Sequence, residues 1–248
     1  MLILGLDCET TGLDPEKDKM TELGMVLYDT EAKMPLKIYC EYIKIEGEVP
    51  EFITDLTGIT KQHLDDYGVP LDAAIEEYLV YSVMAEYQVA HNAPFDRGFI
   101  NAAIASLKLS GIPNENDTPW IDTSVDVPYP KKITTRKLEF LGPAHGFINP
   151  WSHRALFDVL SMLKVLDHYD INKVVRLAGE GDSMLVAICQ KPWLDKAPDG
   201  QKDTDTAREL GFRWNGDKKR WQKIVKESQV EQELIRANGV IKVQILEE

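Results

Sequence analysis

The run Leu2-Ile3-Leu4-Gly5-Leu6 is continuously apolar and of strand length, so it reads as a buried strand. Residues 21–29 and 36–45 read as a second and a third strand. Their connections are short, which predicts an antiparallel meander. Within 52–64, Gly58 reads as a helix end and Thr60 as the cap of the next helix. Leu71, Ala74, Ile75, Tyr78, Leu79 and Val83 then recur at helical spacing, so 71–86 reads as an amphipathic helix on the sheet. Val89-Ala90 reads as a short buried strand, and 99–107 as a helix. Residues 110–137 are irregular and rich in Pro, Asn and Asp. Residues 138–145 read as a short helix ended by Gly146. Pro150 introduces the last helix of this part, with Leu156, Val159, Leu160 and Leu163 as its core face and Asp158 on another flank.

The pattern then resets. Met184–Ile188 is an apolar strand, 191–203 a linker rich in Pro, Asp and Lys, and Asp205 or Thr206 can cap a short helix ended at Gly211. Residues 212–214 and 220–224 flank Asn215-Gly216, a strong hairpin signal. A helix over 227–237 and a strand over 240–246 close the chain. A chain of 248 residues can hold one large domain and an appendage. The expected domains are 1–171 and a small α/β accessory module, 180–248.

Composition narrows the class. No apolar run reaches the roughly eighteen residues of a membrane span. The N-terminus enters a strand directly, without a signal-type segment. Cys8, Cys40 and Cys189 are far apart and odd in number, which favours reduced thiols and a cytoplasmic location over disulfides or zinc. The net charge is -13, unevenly spread. Residues 1–171 hold 14 Lys/Arg against 28 Asp/Glu, and residues 172–248 hold 14 against 13. The acidic excess of the first part disfavours non-specific attraction to nucleic acid.

Candidate chemistry begins where the first strand ends, in Asp7-Cys8-Glu9-Thr10-Thr11-Gly12. Strand side chains alternate, so Asp7 and Glu9 share one face. Two adjacent carboxylates repel, and a hard divalent cation relieves the repulsion. An exposed strand edge without any ion carries the same pattern. His153 precedes Asp158 by five residues, about 500 degrees on a helix, so the two do not share a face. His153 therefore belongs to the loop or first turn leading into the helix.

Three segments taken together, Asp7 to Gly12, His91-Asn92-Ala93-Pro94-Phe95-Asp96 and His153-Arg154-Ala155-Leu156-Phe157-Asp158, resemble in order and spacing the motifs of the DnaQ-like DEDDh 3′-to-5′ exonuclease family. That family includes proofreading subunits of replicative polymerases and ribonuclease T. The resemblance covers roughly residues 1–170. It implies a ribonuclease H-like α/β fold: a five-stranded mixed sheet flanked by helices, with the last strand at 120–123 and the four carboxylates gathered from two strand ends and two helices. By the resemblance, Asp7, Glu9 and Asp158 hold one Mg2+ or Mn2+ with the attacking water, Asp7 bridges to a second ion, and Asp96 holds that ion. His153 takes the water's proton. Thr10 and Leu13 meet the terminal nucleotide, and Thr57 lies beside it. Leu13 reads equally as turn packing, Thr57 as part of a helix end, and Asn92, a further substrate candidate at a strand-to-helix turn, as a tie of that turn.

The implied partner is a nucleic acid 3′ end, DNA before RNA, with a DNA polymerase or replisome protein possible. The implied product is nucleoside 5′-monophosphate. An RNA-directed enzyme and a binding scaffold built on the nuclease fold stay open. The basic cluster Lys131, Lys132, Arg136 and Lys137 reads as phosphate contacts or a solvated loop. In the C-terminal module, Arg213, Lys218, Lys219, Arg220, Lys223 and Lys226 surround Trp214 and Trp221. That grouping suits a single strand, or else a small core beneath a solvated face.

Overall fold

The computed structural model describes residues 1–107, 118–130, 132–133, 135–189 and 203–246. The expected linker 191–203 lies almost wholly outside these residues, as does Lys131. The chain divides into two compact units, Met1–Tyr129 with Thr135–Val175, and Pro130–Thr134 with Arg176–Glu248.

The first unit is built on β1 (Leu2–Thr10), β2 (Met20–Asp29), β3 (Met34–Tyr42), β4 (Tyr87–Ala90) and β5 (Trp120–Asp122). They form one sheet in the order β3-β2-β1-β4-β5. The first three strands make the antiparallel meander, and β4 and β5 add in parallel. β1 is central and covered on both faces, which is why it reads as an unbroken apolar run. On one face Leu4, Leu6, Cys8, Leu23 and Met25 pack with residues of α3 (Leu71–Ser82) and α4 (Ala93–Leu107), including Ile75, Tyr78, Phe99 and Ile100. On the other face Val159 and Leu163 of α6 (Ala155–Leu166) lie over Gly5.

The segment after β3 forms α1 (Glu51–Thr57) and α2 (Lys61–Tyr67). Gly58 ends α1 in the left-handed region, at φ 73°, and Thr60 caps α2 in a reciprocal pair with His63. α5 (Leu138–Ala144) precedes α6. A further helix, α7 (Ile171–Ala178), follows α6, where the apolar pattern suggests α6 as the last. Val174 and Leu177 are buried, and Ile171, Val175 and Ala178 are half-buried beside them. The basic cluster is not one surface: Arg136 turns inward, donating to the Val127 carbonyl and stacking 4.5 Å from the Tyr129 ring centroid. Lys137 instead pairs with Glu139 in solvent.

The second unit holds β6 (Asp182–Ile188), α8 (Asp203–Glu209), β7 (Arg213–Asn215), β8 (Arg220–Lys226), α9 (Glu227–Ala237) and β9 (Lys242–Leu246). Its sheet runs β7-β8-β6-β9, antiparallel throughout. Leu185, Ala187, Ala207, Phe212, Trp221 and Val225 are in its core.

Candidate active site

The site forms where β1 outruns its neighbour. β1 pairs with β2 to its end, but with β4 only over Ile3–Gly5. Beyond Gly5 one edge of β1 lacks a strand partner. Asp96, in the first turn of α4, takes that place: its Oδ1 accepts the Cys8 backbone N–H at 3.0 Å and the Cys8 thiol at 3.3 Å. Asp96 is 1% exposed, so this carboxylate is built into the wall.

Asp7 and Glu9 face α6. Opposite Asp7 on β2 stands Gly24, where an added Cβ would lie 2.5 Å from the Leu156 backbone nitrogen. Only a glycine there lets the start of α6 press against the sheet, and that contact delivers Asp158. Asp7, Glu9 and Asp158 each offer an oxygen within 4.8 Å of the others. Asp96 stands outside this group of three. The carboxylates thus come from one strand and two helices, a correction to the expectation of two strand ends: Asp7 and Glu9 share β1.

His153 precedes α6, as its spacing requires, with a left-handed backbone at φ 64°. Its N–H donates to Asp158 Oδ2 at 2.9 Å, while Asn149 Nδ2 donates to Oδ1 at 2.8 Å. Asp158 is thereby fixed from both sides, and the His153 ring has no hydrogen-bond partner among the described residues. The next residue, Arg154, reaches back to β2. Its guanidinium donates to Glu22 Oε1 at 2.7 Å and lies 5.2 Å from the Tyr42 ring centroid. Glu22 Oε2 accepts the Ala155 N–H at 2.9 Å, so a sheet residue caps α6. Glu22 is also the cross-strand partner of Glu9.

So many acids in one place hold protons tightly. Burial, then Asp96, then Glu9 raise Asp7 well above the ordinary carboxylate range. Burial first, then Asp158, lifts Glu9 to about 8. Burial lifts Asp96 to about 7 against the opposing donation from Cys8. Burial also raises Asp158, opposed by its bond from His153. The ionised set needs a positive charge, and four hard oxygen donors fit Mg2+ or Mn2+.

The other sequence candidates are placed as follows. Thr10 is buried, its hydroxyl donating to the Gly12 carbonyl at 2.6 Å. Thr57 is buried between the Ile53 carbonyl and the Ile59 N–H. Leu13 stands 84% exposed, so turn packing does not explain it. Asn92 is exposed and left-handed at φ 77°, tied through its own N–H to Asp122 Oδ1. His91 joins Thr123 to the Arg136 carbonyl and is structural. Glu22, Arg154, Asn149 and Cys8 carry no role in the sequence pattern alone. The available signals are that Arg154 and Cys8 lie inside the motifs and that Glu22 opens the second strand.

An α/β domain with a mixed five-stranded sheet and carboxylates clustered at the end of its central strand defines an arrangement suited to holding a divalent cation. The exonuclease family model (RNase_T) matches residues 4–166, and the chain belongs to that family. It is 31% identical over 153 residues to DNA polymerase III PolC-type of Thermotoga maritima, covering 62% of this chain and 11% of that protein. It is 36% identical over 97 residues to the 3′-5′ exonuclease DinG of Bacillus subtilis, covering 38% of this chain and 10% of that protein. The chain thus spans about a tenth of the length of these curated relatives. Among solved structures, the E. coli ExoI–ssDNA complex superposes with a TM-score of 0.60 at 17% identity, over 75% of this chain and 47% of that one. The nuclease domain of 3′hExo, a DEDDh family member bound to rAMP, gives 0.57 at 18%, over 67% and 90%. These two share the ribonuclease H-like fold with the first unit.

Proposed function

We propose that this chain removes nucleotides one at a time from the 3′ end of a nucleic acid, DNA before RNA, releasing nucleoside 5′-monophosphates. The observation that carries this is the convergence of Asp7, Glu9 and Asp158, with His153 anchored to Asp158, in a chain of the exonuclease family.

Asp7, Glu9 and Asp158 would hold one divalent cation, and Asp7 with Asp96 a second. When bound, such a pair supplies charge stabilisation for the attacking and leaving oxygens of an in-line displacement. The chain's own groups do the rest. His153 accepts the proton of the attacking water on its ring. The left-handed backbone at His153 sets where that ring can reach, and the bond to Asp158 couples base and carboxylate in one rigid turn. Cys8 fixes Asp96, and Glu22 with Arg154 fixes the start of α6. Leu13, exposed beside the site strand, wedges against the terminal base, and the loop around Thr10, the Thr57 turn and Asn92 border the nucleotide.

DNA is favoured because the matched relatives are named as a DNA polymerase and as the 3′-5′ exonuclease DinG. A polymerase or replisome partner follows from the same names, and a cytoplasmic location fits this role. RNA is the second reading, favoured by a structural neighbour described as a 3′-exonuclease recognising the 3′ end of a histone mRNA stem-loop. The test uses single-stranded DNA, duplex DNA and RNA labelled at the 5′ end, with Mg2+ or with EDTA. A ladder shortening from the 3′ end only with Mg2+ is expected, fastest on DNA. Internal cuts, 5′ shortening or full activity in EDTA would overturn the reading. Faster shortening of RNA would reverse the substrate order.

A further inference from the structure

The β7–β8 hairpin of the second unit sets two indoles directly opposite each other, Trp214 and Trp221. Their ring centroids lie 5.9 Å apart at 58°. Their environments differ. Trp221 is 8% exposed, a core residue with the Arg208 guanidinium 5.3 Å over its ring. Trp214 is 54% exposed. A module of this size needs its large apolar side chains inside, and here Trp221 and Phe212 fill that need. Trp214 therefore presents much of an indole to solvent without being required for the core.

The cations around it also separate into two groups. Lys223 is held by Glu233 at 2.8 Å and by the Leu210 carbonyl, and the buried Lys226 pairs with Asp182 at 2.8 Å. Those two hold the module together. Lys218 and Lys219 stand exposed in the turn, and no carboxylate pairs with either among the described residues. With Arg213, which donates to the Phe212 carbonyl, and Arg220, which donates to Gln222 and the Met184 sulfur, they give the eight residues 213–220 four positive charges against Asp217 alone. The whole chain carries -13.

We propose that this hairpin binds a single strand of DNA, with Trp214 as the platform for a base and the turn lysines, flanked by Arg213 and Arg220, as phosphate contacts. An exposed ring needs an exposed base face, which a single strand offers and a duplex hides. Stacking tolerates any base, and phosphate contacts carry no sequence. The hairpin therefore supplies sequence-independent affinity that the acidic first unit lacks. Because both units share one chain, a strand held here stays at high local concentration for the nuclease. That purpose rests on the exonuclease reading; the binding itself does not.

The test uses the full chain in EDTA, so that nothing is cut, and a labelled oligothymidylate of about 20 nucleotides, longer than the roughly 4–16 that a single-strand-binding OB fold covers. Anisotropy is followed across a salt series. Trp214→Ala should weaken binding by about 10- to 100-fold, and Trp214→Phe should recover most of it. Lys218→Gln with Lys219→Gln should reduce the log-log salt slope by about 0.7 for each phosphate no longer engaged. Blunt duplex of the same length should bind more weakly and ignore Trp214→Ala. Unchanged affinity and slope in folded variants, checked by circular dichroism, would overturn the proposal, as would an equal loss on duplex. Failure of the nuclease assay would leave the binding result standing.

Discussion

Without metal, the first unit should become less stable as pH rises, and Mg2+ should reverse the trend. Unfolded carboxylates ionise near pH 4, whereas in the folded chain Asp96 holds its proton to about 7 and Glu9 to about 8. A raised folded pKa contributes stability that is full below the unfolded value and lost as pH climbs through the folded one. For the fully buried Asp96, from 3.8 to about 7, the loss is about 4 kcal/mol at roughly 1.4 kcal/mol per pH unit. The neighbouring acids titrate together, so their contributions are shared with this one rather than stacked upon it. Starting from pH 5, where part of this is already lost, about 3 kcal/mol remains to be lost, so at about 2–4 °C per kcal/mol the transition of the first unit should fall by roughly 6–12 °C between about pH 5 and about pH 8.5 in EDTA.

Scanning calorimetry is the assay, since two units can give two transitions. Mg2+ should bind the ionised set, restoring most of the loss at high pH while adding little near pH 5, where protons compete. Asp96→Asn keeps an acceptor for Cys8 without the charge, and should reduce the pH dependence in EDTA, leaving the part carried by the buried Asp7, Glu9 and Asp158. It also separates the site from general repulsion in this acidic chain, which Asp96→Asn barely alters. A transition constant within about 2 °C over that range in EDTA would refute the reasoning, as would a fall that Mg2+ leaves untouched.

Three further outcomes follow from individual contacts. His153→Ala should lower turnover by about 100- to 10,000-fold with Mg2+ affinity by calorimetry unchanged, because the bond to Asp158 uses the backbone N–H, which alanine retains. Glu22→Ala strands the Arg154 guanidinium and the Ala155 N–H, so chemical denaturation should show a loss of about 3 kcal/mol. Its turnover should drop by roughly 100-fold as Asp158 shifts. Gly24→Ala drives a methyl into the α6 backbone, which cannot yield as a side chain would, and should destabilise by about 1–3 kcal/mol or more in the same assay.

The parts of the fold legible in sequence are those whose period is local. β1 can be read because burial on both faces demands an unbroken apolar run, and α3 because its apolar residues recur at helical spacing. The Gly58 and Thr60 caps are legible for the same reason: each is decided within one turn of helix. α7 carries the same local signal, with Ile171, Val174, Val175 and Ala178 at helical spacing, but over eight residues only, which makes it easy to pass over in sequence. The two tryptophans are legible as a pair but not as individuals. Each alternative is realised by one of them, since Trp221 goes to the core and Trp214 to the surface. Strand alternation cannot separate them, because cross-strand partners lie on one face; the edge position of β7 separates them.

The candidate site shows the same limit more sharply. Asp7, Glu9, Asp96, His153 and Asp158 can be singled out because each sits in a short motif. Their support cannot, because it is made by opposition across strands. Glu22 is remote from every motif, yet β1–β2 register places it against Glu9, and Gly24 two residues later opens the space that α6 occupies. Register also gives Glu22 a double role. Beside Glu9 it adds negative charge and helps keep that carboxyl protonated. Toward α6 its two oxygens accept from the Arg154 guanidinium and the Ala155 N–H. The charge that holds the helix in place is therefore the same charge that makes the site hungry for a cation. Exchanging Glu22 and Arg154 for apolar residues of similar volume could preserve stability. It would remove both the cap of α6 and part of the field at Glu9, so the ion pair is better explained by the site than by the fold.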